Sequence, residues 1–224
     1  MRTLYHLPLD PGCRKVRLLL QEKGVEVELK AEKTWERRES FLQLNPAGEV
    51  PVLIEEDGSV IPDAWVLAEY LNDAYAEVGE NLMGATALDR AEVRRLVTWF
   101  DRKFAREVSD LLIDEKVMKR FLGVGTPNSS AIRAANQNVH YHLDYIGWLS
   151  DRRNWLAGED LSLADFAAAA HLSCLDYLDC VPWDEHAGAR DWYARIKSRP
   201  SMRPILADLI PGFPPPAHYA DLDF

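Results

Sequence analysis

A chain of 224 residues with a formal charge of −10, from 36 acidic against 26 basic residues, repels nucleic acid and anionic membrane, because both present phosphate to a surface of the same sign. That length buries a substantial core and suits two small domains sharing an interface. No apolar run approaches the ~20 residues that cross a bilayer, and MRTLYHLPLD enters a strand pattern at once, so neither membrane insertion nor a signal peptide is expected and a cytoplasmic location is.

In chain order, Thr3 to Leu7 reads as a strand. Val16, Leu19 and Leu20, followed by Gly24, predict a helix ending near Lys23. Val25 to Leu29 alternates apolar and acidic residues, as a half-exposed strand does. SFLQLNP supplies a short helix, VPVLIEEDGSVI a hairpin turning at Asp57 and Gly58, and AWVLAEYLNDAY a helix burying Val66, Leu67, Tyr70 and Leu71. The order βαβ then αββα over residues 1–78 is a thioredoxin-like layout.

After a polar connector, roughly residues 77–87, strand signals stop. Apolar positions from Val93 to Leu112 recur at three and four, marking a long helix between Leu88 and Phe121, and a second long pattern runs through Leu143, Ile146 and Leu149. LSLADFAAAAHL opens with Ser162 and Asp165 at capping-box spacing, a structural device. A last helix stops before Pro200. Residues 88–209 are therefore an all-α domain, and the proline-rich tail 210–224 is expected to run extended over the surface.

The three cysteines, Cys13, Cys174 and Cys180, contain no C-x-x-C pair, which favours reduced thiols over a disulfide framework or a zinc cage. His140 and His142 are two apart and fall on different helix faces, so no metal site is expected.

DPGCRKVRLLL, NPAGEVPVL, IPDAWVLAEYL and WLAGEDLSLADFAAAAHL, in this order and spacing, resemble the glutathione transferase superfamily. The resemblance implies an α+β protein of glutathione S-transferase fold, a thioredoxin-like domain followed by an all-α domain, and a cis bond at Val50-Pro51 beside a glutathione site. Two positions depart from the family pattern. Asp10 stands where the family keeps a Ser, Tyr or Cys that donates to the glutathione thiolate, and an ionised carboxylate has no proton to give. Asp63-Ala64 stands where an acidic or amide residue followed by Ser holds the γ-glutamyl group. Asp10 reads more simply as a helix N-cap ahead of Pro11, and Cys13 as a packed thiol. Val50, Pro51, Asp63 and Ala64 are thus a vestigial site: no catalytic residue, no required cofactor and at most weak glutathione binding. The alternative is a glutathione transferase or a glutathione-dependent redox enzyme that relies on His6, Tyr5 or Cys13.

EVRRLVTWFDRKFAREV, YHLDYIGWL, DWYARIKSRPSMRPILAD and PGFPPPAHYADLDF resemble, more narrowly, the FtsZ-binding, glutathione-transferase-like division proteins of alphaproteobacteria. That resemblance implies a cytoplasmic homodimer at the division site that binds FtsZ filaments, promotes curved or bundled polymers and regulates constriction. Trp35, with Arg37 and Arg38 behind it, is the first candidate contact. Asp221, Asp223 and Phe224, with Tyr219 and Leu222, are a second, the alternative for this tail being intramolecular packing across the helical domain. Trp99, Phe100, Tyr145 and Trp148 are expected in the core or a dimer interface.

Overall fold

The turn after the first strand, Pro8 to Pro11, is where both domains meet, and the rest of the fold places it there. A computed structural model describes residues 1–222; Asp223 and Phe224 lie outside the described residues. Strand β1 (Arg2–His6) leads into α1 (Pro11–Glu22) and β2 (Val27–Ala31), then a single 3₁₀ turn at Thr34–Glu36 and α2 (Glu39–Leu42). The hairpin β3 (Val52–Ile54) and β4 (Val60–Pro62) and helix α3 (Ala64–Ala74) complete the first domain. Sheet order is β2-β1-β3-β4, with β1 parallel to β2 and antiparallel to β3. The second strand starts at Val27 rather than Val25 and lies at the sheet edge, with only Val27 partly covered. In α3, Leu67 and Leu71 are buried and Tyr70 half-buried, but Val66 is 49% exposed, on the face turned away from the sheet.

The helical domain opens with α4 (Ala87–Thr98), capped by a reciprocal pair: Asp89 N–H donates to Thr86 Oγ1 at 3.2 Å and Thr86 N–H to the Asp89 carboxylate at 2.9 Å. It runs on without a break through π-helical turns at Trp99–Ser109, α5 (Asp110–Ile113), further π turns at Asp114–Met118 and α6 (Lys119–Leu122). Asp110 N–H therefore reaches back five residues, to the Ala105 carbonyl. Gly123, at φ 65°, ends the run in the left-handed conformation that suits glycine. Helices α7 (Ser129–Ser150), α8 (Leu163–Tyr177), α9 (Ala187–Lys197) and the short α10 (Arg203–Leu206) follow. Among the described residues no helix is long and apolar enough to cross a membrane.

Every residue of α8 is buried, since its alanines let neighbouring helices approach closely. One core runs from Leu4, Val16 and Leu19 into Phe100, Leu143 and Phe166, so the domains share it. Polar ties reinforce the joint: Arg199 grips Glu22 through two bonds of 2.9 Å, and Arg17 holds Asp208 at 2.6 and 2.9 Å.

The tail departs from the sequence expectation. It includes a 3₁₀ turn, Ala217–Ala220, and Tyr219 is fully buried in a second core with Leu9, Val117, Tyr177 and Ile210. Tyr219 is accordingly an intramolecular anchor rather than an exposed one; its hydroxyl donates to the Ile205 carbonyl at 3.2 Å, and Tyr177 donates to Phe213 O at 2.7 Å. Burying that ring outweighs the exposure its proline-rich setting suggests.

Candidate functional site

The N-termini of α1 and α3 converge on one cleft of about 540 Å³ between the domains, lined among others by Asp10, Lys15, Asp63, Ala64, Asp101 and His171. A helix N-terminus offers unpaired N–H groups and partial positive charge, which is what a thiolate or carboxylate ligand uses. Here each terminus is already filled by its own side chain. Asp10 Oδ1 accepts from Cys13 N–H at 2.6 Å, and Asp63 Oδ1 accepts from Trp65 N–H at 2.7 Å and Val66 N–H at 3.1 Å. The capping role read from Asp10-Pro11 is thus observed, and Asp63 repeats it. The termini also abut: a Cβ on Gly12 would stand 3.0 Å from Ala64 Cβ and 3.2 Å from Asp10 Oδ1, which accounts for both the glycine and the small residue at 64.

Of the cations lining the cleft, Arg102 is exposed and Lys15 is already paired. The Lys15 ammonium, buried on α1, pairs with Asp101. Asp101 Oδ1 lies 3.4 Å from His171 Nε2, and His171 Nδ1 shares a 2.8 Å hydrogen bond with Ser109 Oγ. Burial pushes the Asp101 carboxyl up, but the Lys15 charge and the His171 hydrogen bond outweigh it and hold Asp101 low. Asp10 goes the other way: burial raises it, and the bonds from Cys13 recover only part. An anion entering this cleft meets a carboxylate at Asp10 where the family pattern keeps a Ser, Tyr or Cys donor, and beside Asp63 it meets Ala64 where that pattern keeps a serine hydroxyl.

The other candidate activators are turned away. His6 is 5% exposed, does not line the cleft and lies beside Arg17 and Asp208. Tyr5, on the opposite face of the strand, packs its ring 5.5 Å from Phe41. Cys13 is fully buried, its Sγ accepting from Leu7 N–H at 3.4 Å, and burial followed by the Asp10 charge pushes its thiol well up. Burial likewise raises Cys174, to about 12, and Cys180. Titration with a thiol reagent at pH 7 will therefore find native cysteines reacting far more slowly than the 3 released by guanidinium; rapid native modification of Cys13 would contradict this placement. The Val50-Pro51 bond is cis.

A second, more apolar groove of about 840 Å³ begins where the cleft ends and shares Asp10, Pro11 and Asp110 with it. Its walls are the loop Leu7 to Leu9, the turn carrying Trp35, the end of the long helix and the strap Leu209 to Pro211. Trp35, half-buried, stacks on Phe121 at 6.2 Å and 11°, and Phe121 packs against Phe213 at 5.5 Å. Arg120 lies 4.8 Å over the Phe213 ring. Trp35 and the tail, separate candidates in the sequence, thus meet at one groove through Phe121. Phe121, Phe213 and Arg120 carry no local signal and were legible only from the fold. Arg38 is tied to Glu32, while Arg37 sits exposed at φ 45° beside the same turn. Asp221 is exposed at the far end of the strap.

The fold and the two helix termini at the cleft define a glutathione S-transferase architecture, and the chain belongs to that family. The glutathione S-transferase N-terminal domain matches residues 11–74 and the C-terminal domain residues 128–200. Over its full length the chain is 47% identical to FtsZ-localized protein A of Caulobacter vibrioides, an alignment covering 100% of this chain and 98% of that protein. Among solved structures, a glutathione S-transferase from Rhodospirillum rubrum F11 is 56% identical, with a TM-score of 0.97 and 100% of both chains covered. FzlA from C. crescentus is 46% identical, with a TM-score of 0.96 and coverage of 100% of this chain and 99% of that one.

Proposed function

We propose that this protein is a non-catalytic, dimeric member of the family that binds FtsZ filaments at the division site, curves or bundles them and regulates constriction, with no required cofactor. The observation that carries the partner is the full-length 47% identity to a protein named for its localisation with FtsZ. The cleft supports the non-catalytic half: Asp10 caps the helix end where the family keeps the donor to the glutathione thiolate, and Ala64, next to Asp63, lacks the hydroxyl that helps hold the γ-glutamyl group. Glutathione binds weakly at best on such a donor set.

The filament contact in this reading is the Trp35 groove with Arg37 and Arg38, extended by Asp221, Asp223 and Phe224. Two such grooves per dimer supply the avidity that bending or bridging a polymer requires. The dimer buries Val66 and Trp148, each 49% exposed in the single chain. Co-sedimentation with FtsZ and GTP, with and without excess glutathione, tests the proposal: saturable pelleting unaffected by glutathione is expected, and its absence would remove the partner. Trp35→Ala, folded and dimeric, is expected to bind about 30-fold or more weaker, as truncating an interface anchor worth about 2 kcal/mol does. Wild-type affinity in that variant would take Trp35 out of the contact.

The relative from Rhodospirillum rubrum carries the name of an enzyme, which makes the catalytic reading worth a direct assay. Conjugation of glutathione to an aromatic halide is expected at background for the wild type and above it for Asp10→Ser, which restores a donor at the α1 terminus. Strong wild-type turnover would overturn the non-catalytic reading.

A further inference from the structure

Away from both cavities, His140 on α7 and His186 at the start of α9, 46 residues apart in sequence, bring Nδ1 and Nε2 to within 2.8 Å of each other. Such a contact between imidazoles holds a single proton, one nitrogen donating and the other accepting. Asp144 settles which: its Oδ1 lies 3.0 Å from His186 Nδ1, so that nitrogen carries the hydrogen and Nε2 presents a lone pair toward His140. Glu185 Oε2 is 3.9 Å from His140 Nδ1 on an exposed side chain. Beside His140 opens a cavity of about 290 Å³, with room for water. Two imidazole nitrogens facing one point, one ring oriented from behind by a carboxylate and a second carboxylate within reach, is the donor arrangement of a carboxylate–histidine–metal site.

We propose that His140 and His186 bind a late first-row divalent cation, Zn²⁺ being the test case. His140 Nδ1, His186 Nε2 and the Glu185 carboxylate are its ligands, water takes the fourth position, and Asp144 positions His186. Two nitrogens and one carboxylate select Zn²⁺, Ni²⁺ or Cu²⁺ over Mg²⁺ or Ca²⁺, which require mainly oxygen. The cation takes the place of the hydrogen between the rings, and His140 carries that hydrogen on Nε2 instead, so both imidazoles ligate as neutral rings. Among the described residues no three His, Cys, Asp or Glu side chains already converge on a point that could hold a metal ion, so two adjustments accompany binding. The facing nitrogens part to about 3.3 Å, the separation across a tetrahedral ion with ~2.0 Å bonds, and Glu185, whose side chain is 68% exposed, swings in. His140, whose side chain is 38% exposed, takes up the first movement while the buried His186 stays in place on Asp144. The bound ion then staples α7 to the start of α9.

The site was invisible in the sequence because H-x-H at 140 and 142 directs its imidazoles apart. His142 faces the interior, accepting from Trp99 Nε1 at 3.1 Å, and the partner of His140 comes from another helix. The test is calorimetric titration of Zn²⁺ into the full-length chain, free of any histidine tag. One ion per chain is expected, bound at least tenfold more weakly by His140→Gln and by His186→Gln, and about 10- to 100-fold more weakly by Asp144→Asn. Should a histidine variant fail to fold, imidazole NMR of the wild type decides instead. Zn²⁺ is expected to shift the resonances of His140 and His186 ahead of the other four of the 6 histidines. Equal Zn²⁺ binding by wild type and both histidine variants, or shifts confined to other histidines, would overturn the site.

Discussion

Replacing Asp165 by alanine will cost about 3 to 5 kcal/mol of stability, read as a lowered urea midpoint. The carboxylate is fully buried, and its two oxygens accept four hydrogen bonds: Leu156 N–H and Trp192 Nε1 at 2.9 Å on one, Ser162 N–H and Ser162 Oγ at 3.0 Å on the other. Removing it strands those donors at the start of α8, the helix around which the domain packs. With total stability typically about 5 to 15 kcal/mol, the loss is a large fraction of the whole. Asp165→Asn separates acceptor geometry from size: its amide turns one oxygen into a donor facing donors, so a cost near that of alanine is expected. A drop below about 1 kcal/mol in both variants would show that water or a shifted Trp192 takes over.

The second large effect is on pH dependence. His6 is held down to about 4 from the usual 6.5, first by burial and then by the Arg17 charge. Its folded pKa is depressed, so the unfolded chain binds the proton more tightly. The associated stability is present above about pH 6.5 and disappears as pH falls through about 4. The size is about 3 kcal/mol, taking about 1.4 kcal/mol per pK unit. Carboxylates held low in the fold, such as Glu22 against Arg199 and Glu92, lowered to about 2 beside Arg95, add their own losses further into acid. The comparison that isolates His6 is therefore wild type against His6→Gln, by urea unfolding between pH 7 and 4. The wild type should lose about 3 kcal/mol more than the variant over that range; parallel curves would mean that His6 stays solvated.

What could be read from the chain followed the range of the interaction responsible. Asp10-Pro11 and Ser162 with Asp165 are caps whose donor and acceptor lie within three residues, and both were legible as such. The alternation of strands and helices up to Ala74, and the long run after Leu88, follow local periodicity. Features that depend on a distant partner were not legible. Trp35 looked like a solvent-facing anchor because Phe121 is far along the chain. Whether Tyr219 docks a partner or packs within the chain stayed open in the sequence, because its prolines carry no period and its pocket is built from the distant Leu9, Val117 and Tyr177. Val66 fell on the apolar stripe of α3 but lies outside what the sheet covers. The π turns after Thr98 leave no pattern, since they widen a helix whose apolar spacing still reads as ordinary.

The Tyr219 anchor also ties the groove to the tail. Ile210 and Tyr219 pack on Leu9, at the turn after the first strand, and on Val117, while Leu209 to Pro211 form one wall of the groove. The second core and that wall therefore hang on residues that add nothing to the core the two domains share, so a chain clipped before Leu209 would keep the family fold and lose the finished groove.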